Sequence, residues 1–464
     1  MAVRFSEDQV LKATGGRKRR AAARSSFEAV CTDSRKLEPG CLFVALEGER
    51  FDAHDFVAQA ARDGAGAAVV REGFSAPDGL PDGFGLYEVP DTRAALGALA
   101  RFHRFRFQIP VGAVGGSNGK TTTKEMVAAI LAVRGPRLRT EGNLNNEIGV
   151  PLTLFNLDPS HVAAVVELGM NHPGEMTRLA EIVHPDAAVL TVIQPEHLEG
   201  LGSIEGVARA EAELFRALAP EATAVVNLDD PHIVRESQGL SCRTLTFGRA
   251  ASAQVRLTGV EKRGRDGLCA HITEAGVTRT VKLAFVGEHN AQNATAAFAL
   301  ARALGFSAEE CVRGLEQARP YARRLNLVDA PGGFTVLDDC YNANTLSVLA
   351  ALDTVRDLAA AQGGRAVAVL GDMLELGPGE REEHERVGTH ARGTVEEAAF
   401  FGPRSVAAHA AAGLGAHFTD VPELVAWLLP RLRRNDVVLV KGSRGMHLER
   451  VVEALTGQNA GGGH

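Results

Sequence analysis

The sequence contains little cysteine, no excess of positive charge and no long apolar run. Its six cysteines lie far apart without a close metal-type pair, which argues against a zinc site or a disulfide framework. The net charge of -7 provides no overall positive potential that would attract nucleic acid, so we expect a small substrate. A basic run over residues 17–24 is more typical of a solvated loop than of a binding patch. No stretch reaches the ~18 apolar residues of a membrane span, and we expect a cytoplasmic protein.

At 464 residues, the chain is long enough for two or three domains. From residue 111 onward, short apolar strands alternate with alanine-rich helical stretches, a pattern typical of parallel sheets covered by helices on both faces. The predicted strands span residues 111–115, 162–167, 187–193, 334–338, 366–371 and 436–441. The sequence before residue 90 predicts a smaller α/β unit, and residues 317–322 predict a linker. We therefore predict an α/β fold with domains over residues 1–91, 92–319 and 320–464.

A glycine-rich segment over residues 115–122 follows the first of these strands and precedes a predicted helix that runs to about residue 133. This order of strand, loop and helix is the context of a phosphate-binding loop. The glycines let backbone amides approach the phosphates, Lys120 would neutralise their charge, and the Thr121 hydroxyl would bind Mg²⁺. Val114 stands where the strict motif has its first glycine, so a tight turn beside a helix is the alternative. The sequence predicts an ATP-dependent enzyme.

Three further polar residues are candidates for catalysis or metal binding. Glu167 ends an apolar strand, where its carboxylate could hold Mg²⁺ or its waters, although a strand-end glutamate is often only exposed. His197 follows the next strand, and the alternative is a packed or surface histidine. Glu211 lies within the apolar stripe of a helix that starts near Ser203, so it would face inward and need a cation or metal as partner. The alternative is that Glu211 escapes at the edge of the stripe.

Further strings extend this pattern over nearly the whole chain, and together they resemble the muramyl ligases of peptidoglycan synthesis. The strings are Thr32-Asp33-Ser34-Arg35, Phe43-Val44-Ala45-Leu46, Gly116 to Thr123, Gly142 to Pro151, Glu167 to Glu175, His197 to Gly200, His289-Asn290 with Asn293, Asp338 to Asn344, and Lys441 to Gly445. The strings over residues 143–151 and 341–344 point to one branch of the family rather than to its siblings.

The resemblance implies a small N-terminal α/β domain for the UDP end of the substrate, a central ATPase-like parallel sheet and a C-terminal Rossmann-like domain that closes over the nucleotide. It implies ATP and Mg²⁺ as cofactors. Nucleotide contacts are implied at Gly116, Ser117, Asn118, Gly119, Lys120, Thr121, Thr122, Asn290, Asn293, Arg324 and Asp339. We expect catalytic residues at Lys120, Glu167, His197 and Glu211, metal ligands at Thr121, Glu167, His197 and Glu211, and substrate contacts at Ser34, Arg35, Asn143 and Asn146.

The implied reaction joins D-alanyl-D-alanine to UDP-N-acetylmuramoyl-tripeptide. ATP converts the terminal carboxylate of the tripeptide to an acyl phosphate, and the amine of the dipeptide then attacks it. Closure of the C-terminal domain would exclude water from the acyl phosphate. We expect a monomer. The alternatives are a sibling ligase that adds a single amino acid and a catalytically silent nucleotide-binding homologue.

The chain departs from the usual pattern of this family in four places. Gly115 replaces threonine at the loop entrance, Cys340 replaces serine, and Thr345 and Leu346 replace a more polar continuation. Glu211 stands where the family usually has a lysine that carbon dioxide converts to a metal-binding carbamate. Since a glutamate supplies the same pair of negative oxygens permanently, we expect Glu211 to serve the second Mg²⁺ without added bicarbonate.

Overall fold

The computed structural model describes residues 4–48, 51–196 and 198–458. These residues divide into two compact units. The first contains the chain up to Ala113 with Arg134–Gly169 and Glu175–Asp186, and the second contains Val114–Val133, Met170–Gly174 and the chain from Ala187 onward. None of the helices in the described segments has the length and apolar composition that a membrane crossing requires. Both units combine sheets with helices, so the predicted α/β fold class is confirmed.

The first unit begins with a five-stranded sheet. Its inner strands are buried along nearly their whole length, which explains why they are apolar without alternation. The strands lie in the order Arg17–Arg20, Gly85–Val89, Ala67–Arg71, Leu42–Val44 and Val30–Cys31, and only the first pair is antiparallel. The unit also contains the strands Phe5–Ser6, Ser26–Phe27, Arg137–Arg139 and Ala163–Glu167 and the helices Glu7–Thr14, Val57–Arg62, Thr92–Arg104, Gly149–Leu154 and Glu175–Val183.

The basic run is largely exposed, as predicted, but its residues 17–20 form a strand and not a loop. Arg17–Arg20 forms an edge of the five-stranded sheet, next to Gly85–Val89. Arg17 and Arg19 donate hydrogen bonds to the two carboxylate oxygens of Glu88, at 2.6 and 2.8 Å. Because the Glu88 carboxylate is buried, it needs these partners, and the cross-strand ion pairs hold the run in the sheet.

The strand Val111–Gly115 is divided between the two units, since the first unit ends at Ala113 and the second begins at Val114. Its last two residues begin a sheet of the second unit. The sheet is parallel as far as its fifth strand and ends in antiparallel hairpins. Its further strands, in order, are Ala187–Leu190, Thr223–Asn227, Arg243–Gly248, Val255–Lys262, Leu268–Glu274 and Val277–Leu283. The accompanying helices are Lys120–Leu131, Leu198–Leu201, Ile204–Glu211, Glu213–Arg216, Pro231–Glu236, His289–Ala303 and Ala308–Gln317.

One strand of this sheet is shorter than predicted. The apolar run over residues 187–193 forms a strand only as far as Leu190. Beyond it, the Thr191 hydroxyl donates to the carbonyl of Asn118 at 2.6 Å, and the amide of Ile193 donates to the Asp230 carboxylate at 2.6 Å. The Ile193 amide thus bonds a side chain and not a neighbouring strand, so the apolar run leaves the sheet where the candidate site begins.

The same unit ends in a six-stranded sheet with an apolar layer on each face. Three predicted strands are present within one residue of their predicted bounds, as Thr335–Asp339, Ala366–Gly371 and Val437–Lys441. The strand order is Asn326–Asp329, Thr335–Asp339, Val437–Lys441, Ala366–Gly371, Glu397–Phe401 and Ala416–Phe418, with only the first pair antiparallel. The helices are Thr345–Gln362, Glu380–Arg392, Val406–Ala412, Val421–Leu428 and Glu449–Thr456. Short 3₁₀ turns elsewhere in the chain span Ser34–Lys36, Ala53–Phe56, Gly264–Asp266, Gly377–Gly379, Leu429–Arg431 and Arg444–Met446.

Candidate active site

The glycine-rich segment forms a loop between the buried strand Val111–Gly115 and the helix Lys120–Leu131. Gly116 and Gly119 have φ angles of 111° and 83°, a region that residues with a Cβ rarely adopt. A Cβ at Gly116 would lie 2.3 Å from the Thr191 hydroxyl, so that position also lacks space for a side chain. The loop therefore has the backbone that a phosphate-binding loop requires, with its amides at a helix N-terminus.

Residues that follow the strand Ala187–Leu190 hold this loop in place. The Ser117 amide donates to the carbonyl of Val192 at 2.7 Å. The Ser117 hydroxyl donates to the carbonyl of Gln194 at 3.1 Å and accepts from the Gln194 amide at 2.9 Å. The polar segment after this strand is thus a structural partner of the loop, as expected where the carboxyl ends of parallel strands meet.

Lys120 lies at the first turn of the helix and faces back into the loop. Its ammonium donates to the carbonyls of Gly116 and Ser117, at 2.5 and 3.2 Å. Glu196 lies 3.7 Å from the same ammonium. Burial raises the pKa of Glu196 to about 7, against the opposing attraction of Lys120. Glu196 was not among the predicted site residues, and its only signal was its place beside His197.

Glu211 is buried beneath the loop, with 1 % of its surface exposed. It shares the inner face of its helix with Val207, and Leu214 and Phe215 are buried just beyond the helix end. Its Oε2 accepts a hydrogen bond from the Gly116 amide at 2.8 Å. Burial raises the pKa of Glu211, whereas the charge of Lys120 acts in the opposite direction. The partners of this inward-facing carboxylate are thus a loop amide and the charge of Lys120.

A cavity of about 500 Å³ opens beside the loop. Thr121 and Thr122 line it on the loop side, and Arg324, Asp339 and Lys441 line it from the six-stranded sheet and the segment before it. The Asp339 carboxylate accepts from the Lys441 ammonium at 2.6 Å. Both residues stand at the carboxyl ends of neighbouring parallel strands, the edge at which such sheets bind ligands.

Arg324 lines this cavity and contacts both the helix that follows the loop and Tyr341. Its Nη2 donates to the Thr121 hydroxyl at 3.3 Å, and its guanidinium stacks on the Tyr341 ring with 4.1 Å to the centroid. The Arg324 Nε is buried and has no hydrogen-bond partner among the described residues. A buried guanidinium nitrogen without an acceptor is costly, so the cavity suits an anionic group such as a phosphate.

Two asparagines of the helix His289–Ala303, Asn290 and Asn293, also line the cavity. The side-chain amide of Asn290 donates to the carbonyl of Val286 at 2.7 Å, and that of Asn293 donates to Asn290 Oδ1 at 2.9 Å. Phe247 and Asn227, which the sequence interpretation missed, line the cavity as well. An aromatic side chain and hydrogen-bonded amides in one cavity suit a heteroaromatic base.

The predicted residues of the first unit lie at the end of a strand, in a 3₁₀ turn and in a loop. Glu167 is buried, and its Oε1 accepts from Asn145 at 2.9 Å while its Oε2 has no hydrogen-bond partner among the described residues. Asn146 accepts from the amides of residues 148 and 149, whereas Asn143 is exposed. Ser34 and Arg35 belong to a 3₁₀ turn after Asp33, and Arg35 forms an exposed ion pair with Asp33 at 2.8 Å.

The described residues offer few grouped donors for Mg²⁺. The predicted ligand His197 lies outside them. Within residues 4–48, 51–196 and 198–458, no three His, Cys, Asp or Glu side chains form a group that could hold a metal ion. Glu167 Oε2, however, is a buried carboxylate oxygen without a hydrogen-bond partner in this part of the chain, which fits a cation ligand. A hard cation with oxygen ligands is therefore compatible with the residues present.

Three models of one protein family match the chain in succession. They are the Mur ligase family, catalytic domain, over residues 26–104, the Mur ligase middle domain over residues 114–301, and the Mur ligase, glutamate ligase domain, over residues 323–444. The prediction of three domains is confirmed by this succession, whereas the boundaries given above stay predictions.

Relatives match over most of their length. The chain is 38 % identical to the UDP-N-acetylmuramoyl-tripeptide--D-alanyl-D-alanine ligase of Escherichia coli (strain K12), covering 93 % of this chain and 94 % of that protein. The Bacillus subtilis (strain 168) protein of the same name is 35 % identical, with 92 % and 93 % covered. A crystal structure of MurF from Acinetobacter baumannii matches with a TM-score of 0.90, 35 % identity and 98 % and 100 % coverage. MurF ligase from Thermotoga maritima in complex with ADP matches with a TM-score of 0.83, 28 % identity and 92 % and 96 % coverage.

Proposed function

The chain belongs to the Mur ligase family, and from this premise we propose that it joins D-alanyl-D-alanine to UDP-N-acetylmuramoyl-tripeptide with cleavage of ATP to ADP and phosphate. The shared name of relatives that match over nine-tenths of both chains supports the two substrates. The observation that carries the proposal is the cavity between the phosphate loop and Arg324, since it offers cationic groups and loop amides to a triphosphate. The product is a precursor of peptidoglycan, made in the cytoplasm by a monomer.

The proposed chemistry activates a carboxylate, which is otherwise a poor electrophile. A tripeptide carboxylate oxygen attacks the γ-phosphorus of ATP, the bond to the β-phosphate bridging oxygen breaks, and ADP leaves. The amine of D-alanyl-D-alanine then attacks the carbonyl carbon of the acyl phosphate, and phosphate leaves as the nitrogen loses a proton. Lys120 neutralises charge on the transferring group, and the loop amides orient it.

We assign the nucleotide contacts to the glycine-rich loop and to residues that line the cavity beside it. The amides of residues 116–119 with Lys120, Thr121 and Thr122 hold the phosphates. Arg324 donates to the same group through its Nε, which has no partner among the residues that the structure describes. Asn290 and Asn293 contact the adenine, and Asp339 contacts the ribose. The Asp339 carboxylate already accepts a hydrogen bond from Lys441, and it would accept a second one from a ribose hydroxyl.

Mg²⁺ is the cation that we assign to Thr121, Glu167, His197 and Glu211. When bound, it neutralises phosphate charge during transfer. The hydrogen bond from Gly116 engages only Oε2 of Glu211, and this contact is compatible with a direct or a water-mediated contact of the carboxylate with the ion. Ser34, Arg35, Asn143 and Asn146 are the proposed contacts for the UDP-muramoyl peptide, and the domains extend over residues 1–91, 92–319 and 320–464.

A phosphate-release assay tests this function. The enzyme is supplied with ATP, Mg²⁺ and a UDP-muramoyl tripeptide, and with a panel of D-amino-acid dipeptides and single amino acids. Release that requires D-alanyl-D-alanine, together with the matching peptide product, supports the proposal. Release with a single amino acid would identify a sibling ligase, and ATP binding without any release would identify a silent homologue.

A further inference from the structure

Two asparagine side chains that are far apart in sequence form a reciprocal pair at the phosphate end of the cavity. Asn118 belongs to the phosphate loop, and Asn344 precedes the helix Thr345–Gln362. Asn118 Nδ2 donates to Asn344 Oδ1 at 3.1 Å, and Asn344 Nδ2 donates to Asn118 Oδ1 at 3.0 Å. Each amide thus serves as donor and acceptor to the other, a geometry that only two primary amides provide.

Asn344 performs a second task with the same oxygen. Its Oδ1 accepts a hydrogen bond from the backbone amide of Ser347 at 3.0 Å. The backbone amide of Asn344 in turn donates to the Ser347 hydroxyl at 3.0 Å. This is a capping box, which any of several short polar residues could form. Aspartate or serine at position 344 would keep the cap but would lack the Nδ2 that reaches Asn118. The cap and the contact with the loop are therefore separable by mutation.

Asn118 connects this pair to the part of the loop that faces phosphate. Its Nδ2 also donates to the side chain of Gln194, and its carbonyl accepts from the Thr191 hydroxyl at 2.6 Å. Asn118 lines the nucleotide cavity together with Leu346 and Ser347, which belong to the first turn of the helix after Asn344. A shift of that helix away from the loop would break the asparagine pair and open the cavity at the same place.

We propose that the Asn118–Asn344 pair positions the C-terminal domain on the phosphate loop and so keeps water from the acyl phosphate. This inference rests on the function proposed above. The pair contains no charge, so it can form and break as nucleotide enters and product leaves without stranding a buried ion. Loss of the pair should leave ATP cleavage possible but allow the acyl phosphate to be hydrolysed before the dipeptide attacks it.

The test compares Asn344→Asp and Asn344→Ser with the wild type. The measured quantity is the ratio of phosphate released to amide bond formed, with all substrates saturating. We expect both variants to raise this ratio roughly fivefold, the effect of losing about one neutral hydrogen bond from the closed state. The melting temperature without ligands should stay near that of the wild type, because aspartate and serine also cap helices.

Asp420→Asn is the matched control, since Asp420 caps the helix Val421–Leu428 in the same domain through the amide of Glu423 at 3.0 Å. It should leave the ratio unchanged. An unchanged ratio in both Asn344 variants, or a rise in the control as well, would overturn the inference. A rise in Asn344→Asp alone would also overturn it, because added charge and not the lost amide would be the cause. A wild type that forms no amide bond with D-alanyl-D-alanine would instead refute the proposed function.

Discussion

Replacement of Glu211 by glutamine removes a buried negative charge while keeping the shape of the side chain. The Oε2 atom of Glu211 accepts from the Gly116 amide at 2.8 Å, and a glutamine oxygen can accept the same hydrogen bond. Lys120 keeps a carboxylate neighbour, because Glu196 lies 3.7 Å from its ammonium. Glu211→Gln therefore tests the charge of the residue separately from its packing.

Two effects on stability oppose each other in this variant. An uncharged acceptor weakens the hydrogen bond from Gly116 by about 1 kcal/mol. Burying a carboxylate costs several kcal/mol after relaxation, and the attraction of Lys120 offsets only part of that cost, in line with the raised pKa of Glu211. Relief of this cost is the larger effect. We expect the variant to gain about 1 kcal/mol without ligands, which corresponds to a Tm about 1–2 °C higher for a protein of this length.

We propose that the negative charge of Glu211 also binds Mg²⁺. The variant should therefore lose activity although it gains stability. In a Mg²⁺ titration of phosphate release, Glu211→Gln should need roughly tenfold more Mg²⁺ for half-maximal activity and should have a lower kcat. Glu205→Gln, on the exposed side of the same helix, is the control and should change neither quantity. A variant that melts below the wild type and matches it across the titration would refute the reasoning and leave Glu211 as a loop anchor only.

Four further changes separate the site from the fold. Lys120→Ala should lower phosphate release by at least about 10³-fold with an unchanged circular dichroism spectrum, and an active variant would remove the central claim. Asn290→Ala should raise KM for ATP about tenfold while KM for the peptide substrates stays constant; equal effects on all substrates would exclude a nucleotide contact. Asp436→Ala, which removes the buried partner of Arg365 at 2.6 Å, should cost about 3–5 kcal/mol in denaturant unfolding without changing KM for ATP. Burial lowers the pKa of His103 to about 4 from its ordinary 6.5, so the neutral ring stabilises the fold above pH 6.5 and that contribution is lost as the pH falls toward 4. His103→Gln should therefore flatten the dependence of Tm on pH in this window, and an unaltered dependence would contradict it.

The strands were predictable because fully buried parallel strands are apolar along their whole length. The predicted strands 111–115 and 366–371 match the observed bounds for this reason. A run of charged residues indicates secondary structure less reliably than an apolar run does. Nothing local in residues 17–20 indicates that a buried Glu88 lies on the neighbouring strand, and this partner is what makes the run a strand.

Residues of the candidate site could be predicted as a group only where one short segment contains several of them. The phosphate loop is such a segment, since its glycines, Lys120 and Thr121 are consecutive or nearly so. Glu196 and Asn344 could not be assigned in this way, because their partners are 76 and 226 residues distant in the chain. Their side chains are of types that occur at any surface, and only the fold brings them to the loop.

The charges around Lys120 explain why a divalent cation belongs in the proposed mechanism. The Lys120 ammonium lies 3.7 Å from Glu196, and Glu211 lies beneath the same loop. Both carboxyl groups compete with any phosphate for the charge of Lys120. A triphosphate then adds more negative charge than Lys120 and Arg324 can neutralise, since Lys120 is already shared with the carboxylates. We therefore propose that the two acids beside Lys120 are the reason why binding of a triphosphate at this loop would require Mg²⁺.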